Sequence, residues 1–170
     1  MGLYRDLLGQ EYERLAPSLQ IFHDGPGAEG RFDVVWSPGW ARWMACRIMQ
    51  LPKPGSDLPT QLLVCAKNGA EVWDRTFEKS KLVTIQTAEK GYLCETKWPI
   101  SFEFEVRIVD GGLDYSSKRT RILGCPLPSF LSVRIEATER PSEAGLYTRV
   151  RFLLPGLGQI CQYEGELRST

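Results

Sequence analysis

The chain has 170 residues, and 21 Lys and Arg balance 21 Asp and Glu. That length suits one domain with a sizeable core, and zero net charge argues against nonspecific nucleic-acid binding, which needs a basic excess. No apolar run is long enough to span a membrane, and the acid-bearing N-terminal stretch does not read as a signal peptide, so the expected location is the cytoplasm.

Leu3, Tyr4, Leu7, Leu8, Tyr12 and Leu15 recur at helical steps, and Pro17 opens a second turn with Leu19 and Phe22 inward. His23-Asp24-Gly25-Pro26-Gly27 ends that region. Residues 31–36 read as a short strand. Ser37-Pro38 then starts a helix with Trp40, Trp43, Met44, Ile48 and Leu51 on one side. This stripe is expected to cover the sheet as core; a membrane or partner surface is the alternative. A linker rich in proline follows, to Pro59.

From residue 60 the pattern is strands separated by turns, with Asn68-Gly69 and Asp110-Gly111 as hairpin signals. The chain therefore reads as a single domain over 1–170: a helical region with one short strand over 1–59, then antiparallel strands over 60–168. The predicted fold is α+β, mainly β. A curved antiparallel meander forms a half-open barrel of about eight or nine strands, with the N-terminal helices packed against or over it.

Register follows from the turns. The Asp110-Gly111 turn sets Ile108 opposite Leu113, Val106 opposite Tyr115 and Phe104 opposite Ser117. Continued, the count puts Phe102 beside Arg119, with Arg121 in the same row. The Asn68-Gly69 turn sets Val64 opposite Trp73, Leu62 opposite Arg75 and Thr60 opposite Phe77. Arg75, Arg119 and Arg121 thus fall on an apolar face with Trp73, Phe104 and Tyr115. Inward guanidinium groups need anions or internal partners. One reading is an anchor for an anionic, partly apolar ligand. The other is internal pairing, or a bulge near Ser116-Ser117 that turns the arginines to water.

Other chemistry is sparse. His23 beside Asp24 makes no triad, and Gly156-Leu157-Gly158 lacks the third glycine of a dinucleotide loop. Five widely spaced cysteines read as buried hydrophobes, so neither a disulfide framework nor a metal site is expected. No catalytic residue and no cofactor is predicted.

Several phrases together carry a resemblance: Phe22-His23-Asp24-Gly25-Pro26-Gly27, Leu123-Gly124-Cys125-Pro126-Leu127-Pro128, Leu154-Pro155-Gly156-Leu157-Gly158 and Tyr163-Glu164-Gly165-Glu166-Leu167. The chain resembles an uncharacterised bacterial domain-of-unknown-function family, found in some proteins behind a saccharopine-dehydrogenase-like module. The resemblance implies a functional link to such a protein but supplies no catalytic residues. The expected function is non-enzymatic binding of a small apolar or amphipathic ligand. Two alternatives stay open: an enzyme with a site near His23-Asp24, and an interaction module using the Trp40/Trp43 helix.

Overall fold

The computed structural model describes residues 2–170; Met1 lies outside them. Helix α1 (Leu3–Leu8), a 3-10 helix (Gly9–Arg14) and α2 (Pro17–Asp24) come first. Then follow β1 (Gly27–Trp36), α3 (Trp40–Ile48), β2 (Gly55–Lys67), β3 (Ala70–Phe77), β4 (Ser80–Glu89), β5 (Tyr92–Lys97) and β6 (Ile100–Val109). The chain ends with β7 (Gly112–Ile122), the short β8 (Cys125–Pro126), β9 (Arg134–Ser142), β10 (Gly145–Leu154) and β11 (Gly158–Ser169).

Every strand pairing is antiparallel, and ten strands close into a barrel, with β8 as a flap on β7. The expected half-open barrel of fewer strands is corrected on two counts. β1 is ten residues long, beginning at Gly27, and β2 begins at Gly55 inside the supposed linker. That extra length lets β1 pair with β2 on one side and β11 on the other, which removes the open edge. Gly165 serves this closure. A side chain there would put its Cβ 2.1 Å from the Arg31 carbonyl and 2.7 Å from the Phe32 ring.

The hairpin signals act as their chemistry requires. Asn68-Gly69 and Asp110-Gly111 both adopt positive φ at the two turn positions. The pairs Val64–Trp73, Leu62–Arg75, Thr60–Phe77, Ile108–Leu113, Val106–Tyr115 and Phe104–Ser117 all form. Past Phe104 the β6–β7 register shifts by one residue, so Glu103 rather than Phe102 meets Arg119, and Thr120 takes the inward place beside Phe102.

In an antiparallel ring, alternate connections lie at the same end. The N-terminal helices close one end as a plug: the Ala16 amide donates to the Gly111 carbonyl in the β6–β7 turn. Leu3, Tyr4, Tyr12, Leu15, Leu19 and Phe22 are buried in the common core. The opposite end, the mouth, carries α3 and the long β7–β9 connection. Helix α3 buries only Cys46 and turns Trp40, Trp43, Met44 and Ile48 outward. The expectation that this stripe forms core is therefore reversed for those four, while Leu51, just past the helix, is buried as expected: the small Ala45 and Cys46 face the barrel, because they let the helix lie close against β1 and β11.

Leu19, fully buried, and Ile21, 62% exposed, separate the two faces of α2. Leu19→Ala is expected to lower unfolding free energy by about 2–5 kcal/mol, and Ile21→Ala by under about 0.5 kcal/mol, in urea denaturation. Equal effects would mean that the plug does not pack as described.

Candidate functional site

Strand alternation aims Trp73, Arg75, Glu95, Lys97, Phe104 and Tyr115 into the barrel, where they line a cavity of about 130 Å³. Tyr4 and Phe22 of the plug bound it at one end. Met49 and Leu51, just after α3, bound it at the mouth.

Polar groups inside fall into three sets. Near the plug, Tyr115 donates to Glu139 at 2.9 Å, and the Tyr4 hydroxyl donates to Gln86 at 3.2 Å. His23 Nε2 lies 2.9 Å from the same Glu139 oxygen, with its ring stacked 3.9 Å from Tyr4. Glu71 accepts from the first amide of α1 at 3.1 Å and from the Trp73 indole at 3.0 Å. This set ties the plug to the barrel wall, and Glu71 also answers an amide that the start of a helix leaves free.

Higher up, Arg75 donates to Glu95 at 3.1 Å and to Thr84 at 2.9 Å, and lies over the Trp73 ring. Thr84 also donates to Glu95 at 2.6 Å. The buried guanidinium is thus matched by a carboxylate. At the mouth, Lys97 donates to the Met49 and Gln50 carbonyls at 3.2 and 3.0 Å. No carboxylate pairs with it among the described residues, and burial lowers its pKa. Thr148, also on the lining, has a buried hydroxyl without a partner.

Of the residues singled out by pattern, Arg75, Trp73, Phe104 and Tyr115 meet at this cavity. Arg119 and Arg121 do not. Their side chains are 58% and 32% exposed, and both pair with Glu103 on the outside. The bulge in β7 shifts parity by one residue and carries them out of the apolar row. The carbonyl partners of Lys97 come from a distant segment, so its position at the mouth carries no local signal. Glu95 does have a signal for facing inward: two-residue spacing puts it on the same strand face as the buried Leu93, with Lys97 next in that row.

Neither His23 nor Asp24 lines the cavity. Asp24 faces outward in an ion pair with Arg5, whose hydrogen bonds hold its carboxyl below the usual range. Among the described residues no group of His, Cys, Asp or Glu is arranged to hold a metal, and no helix is long and apolar enough to cross a membrane. A family model described as "Domain of unknown function (DUF4166)" matches residues 15–167, so the chain belongs to that family. No curated protein and no solved structure matches.

Burial, and then the charge of Glu139, hold Tyr4 and Tyr115 well above the ordinary phenol pKa. Unfolded tyrosines ionise near about pH 10, whereas these keep their protons in the fold. Above that pH the unfolded chain binds fewer protons, so stability is intact below it and is lost as pH rises toward the folded-state values. Denaturation midpoints from about pH 9 to 11 should fall with pH. Tyr115→Phe should give a shallower fall; an unchanged slope would show that Tyr115 is not the group responsible.

Proposed function

We propose that this DUF4166 domain is a non-enzymatic binding protein, holding a small apolar or amphipathic molecule, anionic at one end, in the barrel cavity. The observation that carries this reading is the unfilled apolar space of about 130 Å³ between plug and mouth. Packed interiors leave few voids larger than a water molecule. An engineered apolar cavity of about 150 Å³ takes up benzene, so a ring or short chain of that order fits without rearrangement.

Charge orients the ligand. Arg75 and Glu95 cancel, which leaves Lys97 as the uncompensated charge toward the mouth, while Glu139 sits by the plug. An anionic head is favoured beside Lys97 and repelled at the floor. The apolar part then lies against Trp73, Phe104 and Tyr115, with the Thr148 hydroxyl free to bond to a polar substituent. Arg119 and Arg121, on the outside, drop out of the anchor. The sequence resemblance adds a proposed functional link to a saccharopine-dehydrogenase-like protein, in a bacterial cytoplasm.

Titration with hexanoate and hexanol, read by tryptophan fluorescence, tests the reading. Lys97→Met should weaken hexanoate binding by about tenfold, the loss of one charge-assisted hydrogen bond, and leave hexanol unchanged. Ala137→Phe, which fills the cavity, should abolish both while the protein still melts cooperatively. Binding that survives Ala137→Phe would place the ligand elsewhere and end the proposal.

A further inference from the structure

We propose that the mouth of the barrel docks on the surface of an anionic lipid bilayer. The first observation is where the exposed apolar side chains gather. Trp40 is 81% exposed, Ile48 73%, Trp98 78% and Phe130 69%. They come from three separate connections, the α3 segment, the β5–β6 turn and the β7–β9 strap, and all three lie at the mouth. Isolated exposed hydrophobics are ordinary, but several connections presenting them around one opening form a rim, and such rims mark interaction surfaces.

Charge provides the second observation. The connections at the mouth carry Arg42, Arg47, Lys53 and Lys79 against Glu78. No carboxylate pairs with Arg47, Lys53 or Lys79 among the described residues. The plug end is the reverse: Asp6, Glu11, Glu13, Asp24, Asp110 and Glu143 stand against Arg5, Arg14 and Lys90. A chain of zero net charge is therefore polarised along the barrel axis. Its basic pole coincides with its greasy one. An anionic bilayer complements both features, because its surface potential attracts Lys and Arg while its interface takes up apolar side chains.

The identity of the rim residues favours a bilayer over a protein partner. Tryptophan suits the boundary between headgroups and acyl chains. Arg47 lies over the Trp43 ring at 5.8 Å, which keeps the cation beside the ring at that boundary. Among the described residues the ten barrel strands leave no open edge for an extended peptide to join, and the one free edge is the two-residue β8. Met49 and Leu51, which border the cavity, follow α3 directly, so the docked face lies beside one end of the cavity. The proposal does not require the cavity to hold any particular ligand.

Co-sedimentation of the full chain with phosphatidylcholine vesicles, with and without phosphatidylglycerol, tests it. Binding should appear with the anionic vesicles, weaken with added salt and blue-shift the tryptophan emission. Trp40→Ser combined with Trp98→Ser should reduce binding by about tenfold or more, as should Lys53→Glu with Lys79→Glu. All four positions lie in mouth connections outside the strands, and an unchanged thermal melt confirms the fold of each variant. Ile21→Ser, exposed at the plug end, should bind like the parent. Absence of binding to anionic vesicles overturns the proposal. So does binding that ignores the rim variants, or concentration-dependent self-association that those variants abolish, which would make the occupant a second copy of this chain.

Discussion

Nine residue pairs between β1 and β11, from Ala28–Ser169 to Trp36–Cys161, turn a meander into a ring. Everything else about the molecule answers to that closure. A sheet without edges has no backbone left to protect, but it encloses a volume that must be filled. The chain supplies filling at one end, where the N-terminal helices insert Tyr4, Leu19 and Phe22. The remaining space, walled by aromatic and aliphatic side chains and floored by the plug, is the cavity.

The two helical regions meet the ring in opposite ways. The plug helices turn their large side chains inward and add polar anchors, with Glu71 and Glu139 receiving donors from α1, Tyr115 and His23. Helix α3 turns its large side chains outward and packs through Ala45 and Cys46. Both are amphipathic. Which face is buried depends on the space available: the plug faces a wide barrel end, whereas α3 lies across the ends of β1 and β11, where only small residues allow close approach.

Buried charge follows the same economy of partners. Arg75 stays in the wall because Glu95 and Thr84 meet it, and an unmatched guanidinium at that depth would be too costly. Lys97 is satisfied by carbonyls alone, which quench its hydrogen-bonding needs but not its charge. The interior is therefore asymmetric, cationic toward the mouth and anionic toward the floor, and the outer surface repeats that sense along the same axis.

Local pattern determined a good deal here. Two-residue turns with positive φ, read with apolar alternation, are enough to set hairpin register, because a slip by one residue would move every apolar side chain to water. The β2–β3 pairs and the first β6–β7 pairs were legible on that ground, as were the inward positions of Trp73, Arg75, Phe104 and Tyr115. Tertiary structure alone decided the rest. Ring closure joins strands more than a hundred residues apart, and no neighbouring residues encode that pairing. The β7 bulge inverted the parity of Arg119 and Arg121: the sequence offered a bulge near Ser116-Ser117 as one of two readings, and only the pairing of β6 with β7 decided for it. The outward face of α3 and the position of Lys97 at the mouth were likewise settled by what the fold brings alongside them, because periodicity shows that a helix has two faces but not which one meets the protein.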